Sequence, residues 1–330
     1  MKSRLLVGLF SLVGAYTFSQ TNARFSQFNV AKGLMNPAAI GVEAKISAEL
    51  IYRTQWTGQK GAPQSVGFMG SYEINNSHAV GLSVLNDQVG IAKSTGINLG
   101  YAYRIYINDE QNFAFGASLG VQNVNNDYSR LFLINQNDPA FLQSYNQWKF
   151  NAGFGMFYNG PKMYIGYSIP QLFNNIHSGP NNGFRINRWH HYLAAGFYIS
   201  NHDASYIFNP CVQVKFVPNA PIQGDLLLRN IINGKFAIAV GYRTENAIQA
   251  GFDVMISNNA RIGYNFNYNF GRYSRFMATS HEVYIGMGLP FYYETNRFAK
   301  RQYTNNKQGF SSDYKQRSRK LNKRNKFKPF

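Results

Sequence analysis

Apolar and polar residues alternate over short stretches along most of the chain. Between residues 97 and 107 every odd position holds Ile, Leu or Tyr, whereas the even positions hold mainly Asn, Gly, Ala and Arg. Residues 112–121 and 261–270 alternate in the same way. Because side chains on a β-strand point alternately to opposite faces, this period of two predicts strands with one apolar and one polar face.

The pattern predicts an all-β chain of about fourteen strands. They are predicted at about 45–54, 64–74, 78–86, 94–107, 112–123, 148–158, 162–169, 190–200, 206–217, 222–231, 235–243, 247–256, 260–270 and 280–290.

The lengths of the connections separate a membrane barrel from a soluble sandwich. Turns after the even-numbered strands are short, as at 75–77 and 159–161. Several connections after odd-numbered strands are long, notably 124–147 and 170–189. Short turns at one end and long loops at the other are typical of transmembrane antiparallel β-barrels, so we expect a barrel over residues 45–290 in the outer membrane.

Composition agrees with this fold. Aromatic residues make up 16% of the chain and charged residues only 15%, which excludes an ordinary soluble helical protein. A strand with one face in lipid must pair all of its backbone polar groups, and only a closed barrel does this. The net charge of +18 is concentrated in residues 291–330, which carry +10. The charge therefore does not indicate a nucleic-acid partner for the barrel.

The two ends of the chain differ from the middle. Residues 1–19 have a charged start, a short apolar run and small residues at 17 and 19, which predicts a signal peptide cleaved before Gln20. Residues 20–44 lack alternation and are predicted to form a periplasmic or plug segment. Residues 291–330 form a basic tail that we expect to be disordered and periplasmic. Docking on another envelope protein is its favoured role, ahead of anionic lipid or cell-wall polymer.

Charged residues at polar-face positions are expected to line the lumen, where they would either pair to fill a small barrel or line a solute path. These residues are Glu49, Arg53, Arg104, Lys215, Asp225, Arg229 and Arg243.

No catalytic, cofactor or metal site is predicted. The adjacent pairs His281–Glu282 and His190–His191 lie on strands, so the two members of each pair face opposite sides. The single cysteine, Cys211, can form no internal disulfide. We therefore expect a protein that is not an enzyme.

An ordered set of motifs resembles the PorP/SprF family of outer-membrane proteins, which belong to the type IX secretion system of Bacteroidota. The motifs are NPAAIG at 36–41, YRTQWTGQKGAPQS at 52–65, LND with Gly90 at 85–90, YAYR at 101–104, NAPIQGD at 219–225, GYRTENA at 241–247 and SHEV at 280–283.

The resemblance implies a non-enzymatic barrel in protein export that binds either a secreted surface protein, such as a gliding adhesin, or the secretion machinery. An outer-membrane transporter for small solutes remains the alternative, and an outer-membrane hydrolase a distant third. The motif positions that the resemblance makes candidates for partner contact are Asn36, Pro37, Gly41, Arg53, Gln55, Trp56, Gly58, Pro63, Asp225, Arg243, His281 and Glu282.

Trp56 stands out among these positions because the first loop would present it at the cell surface. Trp56 and the aromatic, Pro-containing segments 138–141 and 170–173 would either contact a partner, since Trp and Tyr are enriched at binding hot spots, or pack the loops over the barrel mouth.

Overall fold

A computed structural model gives the structure of the protein. It describes residues 24–108, 110–128, 144–173, 189–201, 205–218, 220–244, 246–271, 274 and 279–291. The predicted signal peptide, residues 292–330 of the basic tail and the segment 138–141 lie outside the described residues.

The described chain is built almost entirely from strands. They are β1 (Ala44–Gln55), β2 (Gln64–Asn75), β3 (His78–Val89), β4 (Ala92–Asn108), β5 (Gln111–Asn126), β6 (Tyr145–Asn159), β7 (Met163–Ile169), β8 (His191–Phe197), β9 (Ile199–Ser200), β10 (Tyr206–Phe216), β11 (Gln223–Ile232), β12 (Phe236–Arg243), β13 (Ala247–Ser257), β14 (Ala260–Asn269) and β15 (Thr279–Phe291).

The strands form one closed antiparallel barrel. Each strand pairs with its neighbour in sequence, and β15 pairs with β1 over the full length of β1, from Ala44 opposite Phe291 to Gln55 opposite Ser280. β8 and β9 both pair with β10 and are two parts of one wall strand, interrupted at Tyr198. The wall therefore has fourteen strands, and the predicted fold class and strand number are confirmed.

The predicted faces are also confirmed. Along β1 the even positions from Ile46 to Tyr52 are exposed, whereas the odd positions from Ser47 to Arg53 are buried. Large apolar side chains cover the outside of the wall, as at Leu99 and Phe115. Because lipid surrounds this face in the membrane, side chains exposed in the isolated chain are buried by the bilayer.

The two ends of the barrel differ in their connections. The turns 76–77, 233–235 and 258–259 are short, and they lie at the same end as Ala44 and Phe291. The opposite end carries the longer loops, among them Trp56–Pro63 and the connection between β5 and β6. In barrels of this class the short-turn end faces the periplasm, and we call it the periplasmic end. The opposite end is called the loop end.

Residues 24–43 lie inside the barrel, and we call this segment the plug. It contains one helical turn, Lys32–Met35, followed by a 3-10 turn, Pro37–Ala39. Phe25, Phe28 and Ala38 are buried against inward-facing wall residues. Within the described part of the chain, no helix has the length and apolar character needed to cross a bilayer.

Candidate functional site

The first residues of the plug are held by a buried carboxylate at the loop end of β11. Asp225 accepts hydrogen bonds from Arg24 Nε at 2.7 Å on one oxygen and from Arg243 Nε at 2.6 Å on the other. The amide of Gln249 donates to the second oxygen at 2.9 Å. One wall carboxylate thus joins the plug to two further strands of the wall.

A second buried carboxylate holds the plug through its backbone. Glu282 on β15 accepts hydrogen bonds from the backbone N–H groups of Ser26, at 2.8 Å, and Gln27, at 2.7 Å. Its cross-strand partner on β1, Arg53, lies 3.6 Å away as an ion pair. The plug therefore contacts the seam where the first and last strands close the barrel.

Arg53 completes this contact from the other side of the seam. Its Nη1 donates to the backbone carbonyl of Arg24 at 2.6 Å and to the hydroxyl of Ser26 at 3.0 Å. Since Arg53 and Glu282 are both almost fully buried, removing either one would leave the other charge uncompensated away from water. The network consequently fixes the position of the plug.

The NPAAIG motif forms the second anchored part of the plug. The side chain of Asn36 caps the 3-10 turn by accepting from Ala38 N at 2.9 Å, and Pro37 occupies the first position of that turn. Asn36 Nδ2 donates to the carbonyl of Met156 in the wall at 3.0 Å. The motif is therefore explained by packing inside the barrel.

Glycines of the wall make room for this turn. A Cβ at Gly116 would collide with the backbone of Pro37 and Ala38, and one at Gly155 would collide with Asn36 Oδ1. A Cβ at Gly100 would collide with the side chain of Ile40. We call these three glycines the glycine groove; they allow the plug backbone to approach the wall closely.

The end of the motif meets Arg104 on β4. Arg104 Nη2 donates to the carbonyl of Ile40 at 2.6 Å, and its Nη1 lies 3.3 Å from Glu73 Oε2. Gly41 has φ +74°, and a Cβ there would lie 2.7 Å from Arg104 Nη2. Glycine is needed at this position for both its left-handed conformation and its lack of a side chain.

Four of the sequence-predicted positions lie in or beside the first loop at the loop end. Gln55 ends β1 and Pro63 is buried, with Gln55 N donating to the carbonyl of Pro63 at 2.9 Å. Trp56 is a non-glycine residue with φ 51°, and Gly58 has φ 93°. The loop is therefore sharply bent, and its residues Thr57 to Gly61 are exposed.

His281 belongs to a different surface. It is on the lipid side of β15, where its Nδ1 lies 2.6 Å from the hydroxyl of Tyr264. Its neighbour Glu282 is in the lumen, so the structure keeps the two members of this pair apart. His190 is likewise buried, whereas His191 contacts Tyr167 on the outer face.

The structure thus brings seven of the sequence-predicted residues to the plug and its wall contacts. They are Asn36, Pro37, Gly41, Arg53, Asp225, Arg243 and Glu282. The described residues contain no group of three or more His, Cys, Asp or Glu arranged to hold a metal ion.

Sequence reasoning missed three plug residues that make strong contacts, namely Arg24, Ser26 and Gln27. Their segment was predicted to be a periplasmic or plug segment, but it has no period, so nothing in the pattern indicated which of its residues contact the wall. It also missed acids of the inner face, such as Glu73 and Asp253, which pair with Arg104 and Arg229. Both acids stand at polar-face positions of the alternating strands β2 and β13, so the alternation alone could have placed them in the lumen.

The inner face differs around the barrel. Wall residues in the loop-end halves of β3 to β5, among them Ser94, Asn98 and Gln122, are partly exposed, and we call this region the open side. Wall residues in the loop-end halves of β11 to β15 are buried, and we call this region the covered side. Asp225 and Glu282 lie on the covered side.

A family model described as "Type IX secretion system membrane protein PorP/SprF" matches residues 17–287. The chain belongs to the PorP/SprF family. It is an outer-membrane β-barrel of type IX secretion, and the predicted family and location are confirmed. Membership also implies association with the type IX secretion machinery. No match was found among curated proteins.

Solved structures similar to this PorP/SprF member are outer-membrane barrels. Omp33 of Acinetobacter baumannii has 6% identity and a TM-score of 0.45, covering 76% of this chain and 100% of its own. The CymD monoaromatic hydrocarbon channel has 12% identity and a TM-score of 0.48, covering 81% and 93%. At these scores the similarities carry no argument about function.

Proposed function

We propose that this PorP/SprF member is a non-enzymatic receptor that binds a secreted surface protein of the adhesin type at the type IX machinery. The observation that carries the proposal is the filled lumen. The plug occupies the barrel and is tied to it by the ion pair Arg24–Asp225 and by hydrogen bonds from its backbone to Glu282 and from Arg53 to its backbone. An occupied interior supports a binding role better than a conducting one.

The first loop is the proposed contact surface for the secreted protein. Thr57 N donates to the carbonyl of Thr279 at 3.1 Å, and Gly90 N donates to the carbonyl of Gly61 at 2.9 Å. These bonds hold the loop between β15 and the turn after β3. A left-handed φ at a bulky residue such as Trp56 costs energy and persists only when neighbours enforce it, which often marks a functional position.

Deleting the gene should abolish surface display of one secreted protein while leaving permeability to small solutes unchanged. Affinity purification from native membranes should then recover that protein or components of the machinery. Trp56→Ala should weaken the recovery at least tenfold, whereas Trp148→Ala, on the lipid face of β6, should not. Normal display in the deletion strain would contradict the proposal.

The open side favours a second candidate function, a transporter for small solutes. Its partly exposed Ser, Asn and Gln side chains would suit a polar solute. Purified protein in planar bilayers distinguishes the two functions. Steady ion conductance by the unaltered chain would favour the transporter function, whereas a non-conducting barrel would favour the receptor function.

For the basic tail we propose docking on a periplasmic envelope protein. Its charge, +10 over residues 291–330, supports an acidic partner surface. Removing residues 298–330 should leave a folded barrel but reduce co-purification of periplasmic proteins. Unchanged co-purification would rule out the docking role.

A further inference from the structure

The wall holds the plug largely through the plug's backbone. Besides the two N–H groups bound by Glu282, three plug carbonyls accept hydrogen bonds from wall side chains. Arg53 binds the carbonyl of Arg24 and Arg104 that of Ile40, both at 2.6 Å, and Ser168 Oγ binds the carbonyl of Met35 at 2.7 Å. Contacts to backbone groups are available to any chain that follows the same path.

The shape of the wall fits the same conclusion. In the glycine groove, Gly116 accommodates main-chain atoms of Pro37 and Ala38, whereas Gly155 and Gly100 make room for the side chains of Asn36 and Ile40. Polar side-chain anchors of the plug are Arg24 on Asp225, Ser26 on Asn267 and Asn36 on the carbonyl of Met156. The lumen therefore holds a turn-containing polypeptide segment with a basic residue near its start.

The plug leaves part of this site unsatisfied. Within the described part of the chain, several buried polar atoms around its first residues have no hydrogen-bond partner. In the wall they are Arg53 Nε, Gln249 Oε1, Asn265 Oδ1 and Asn267 Nδ2. A buried polar group without a hydrogen-bond partner destabilises the structure that leaves it unpaired. A segment of different composition could pair with these atoms and compete with the plug.

The open side provides a route for such a segment. Ser94, Asn98 and Gln122 are partly exposed on the inner face. Their hydroxyl and amide groups can hydrogen-bond an incoming backbone before the plug leaves. The first residues of the plug are anchored on the opposite side of the lumen, at Asp225 and Glu282.

We propose that the lumen is a binding site for a short, turn-containing polypeptide segment, which the plug occupies in the same chain and a segment of the bound secreted protein displaces. This inference rests on the proposed receptor function. It adds where the ligand binds and what is recognised: two consecutive backbone N–H groups on Glu282, a carbonyl on Arg53 and a cation on Asp225.

The test uses the full-length protein with a weakened plug and an intact wall. Arg24→Ala with Ser26→Pro removes the cation on Asp225 and one N–H on Glu282. The probe is a fluorescent synthetic peptide with the sequence of residues 24–43. Because the tethered plug competes at a high effective concentration, we expect the unaltered protein to bind the peptide at least tenfold more weakly than the variant.

A disulfide lock provides the negative control. Ser26 Oγ and Asn267 Oδ1 are 3.1 Å apart, so cysteines at both positions should link the plug to β14 when oxidised. Cysteines at Ser47 and Ser71, whose Oγ atoms are 2.7 Å apart, link β1 to β2 without touching the plug. Both cysteine pairs are introduced in a Cys211→Ala background.

A second control changes the peptide. A peptide that carries proline at positions 26 and 27 should bind the weakened variant at least tenfold more weakly than the unaltered peptide does.

Two results would overturn the inference. One is that the folded variant with Arg24→Ala and Ser26→Pro binds the peptide no better than the oxidised Ser26–Asn267 lock does. If this double variant does not fold, the Arg24→Ala variant is measured in its place. The other is equal capture of the secreted protein by the lock and by the Ser47–Ser71 link. In that second case the receptor function stands and only the lumen site is lost. Failure of the unaltered protein to capture any secreted protein would instead remove the receptor function.

Discussion

The covered and open sides of the lumen are built from strands of the same barrel but differ in the charge and the exposure of their side chains. On the covered side the wall carries Asp225, Arg243 and Glu282, all nearly fully buried and all bonded to the plug or to each other. On the open side the wall carries mainly Ser, Asn, Gln and Gly, together with the acid Asp87, and these remain partly exposed. Charges predominate where the wall holds the plug, and neutral polar groups predominate where it faces water.

The difference follows from the cost of desolvation. A buried charge is tolerated only when a partner and further hydrogen bonds compensate it, so the covered side requires a matched occupant. A neutral hydroxyl or amide costs less to bury and can bond to water instead. The open side can therefore exchange its contacts with water, whereas the covered side exchanges them only for an occupant that matches its charges.

The largest effect is expected from filling the glycine groove. Gly116→Leu places a side chain where the backbone of Pro37 and Ala38 lies, so the plug cannot seat and the barrel should fail to reach its folded form. Heat-modifiable migration in gels measures the folded fraction. Gly96→Ala is the matched control, because its Cβ would meet nothing closer than Asn98 Nδ2 at 3.9 Å. Equal folding of the two variants would mean that the plug is not needed.

The next largest effect is expected in the rates at which cysteines on the two sides react with a labelling reagent. In a Cys211→Ala background, Ser94→Cys on the open side should react with a water-soluble maleimide at least ten times faster than Asn267→Cys, which replaces a fully buried side chain. Mass spectrometry gives both rates. Similar rates would show that the plug leaves the covered side spontaneously.

Removing a charge on the covered side should have an intermediate effect. Glu282→Gln leaves Arg53 without its buried counter-charge, and we expect a loss of about 3 kcal/mol in the free energy of unfolding. Asp87→Asn is the control, because Asp87 is partly exposed and the amide oxygen of the asparagine can still accept the hydrogen bond from Ser65 Oγ. Denaturant unfolding in detergent compares them, and equal losses would contradict the proposed difference between the sides.

The smallest effect is expected on the open side. Ser94→Ala removes the acceptor of a 2.6 Å hydrogen bond from Gln122 Nε2. Because both side chains are partly exposed, water replaces the bond and stability should change by less than about 0.5 kcal/mol. A larger loss in the same unfolding assay would mean that this side is as tightly packed as the covered side.

Much of the fold could be predicted from alternation and connection lengths. All fourteen wall strands were placed within a few residues, because lipid on one side and the lumen on the other impose a strict period of two. The structure extends β3 to Val89 and β6 back to Tyr145, where both faces are polar and the period fades. It also interrupts one strand at Tyr198, which the pattern did not predict.

The candidate site was predicted only in part. The wall charges Arg53, Asp225 and Arg243 were placed in the lumen because they stand at polar-face positions of regular strands. The contacts of Arg24 and Ser26 were not predicted, because the plug has no periodic structure. Their partners Asp225 and Asn267 also lie more than two hundred residues away in sequence. Pairing over such distances depends on how the barrel closes.

By itself, the sequence determined that this protein is an outer-membrane barrel of the PorP/SprF family, since local alternation and motif order are properties of the chain. The tertiary structure decided what fills the barrel and which charges meet. Closure brings Glu282 next to Arg53 and sets both against the backbone of residues 24–27. Only in that enclosed, poorly hydrated space do these groups act as one site, because each charge must find its partner there.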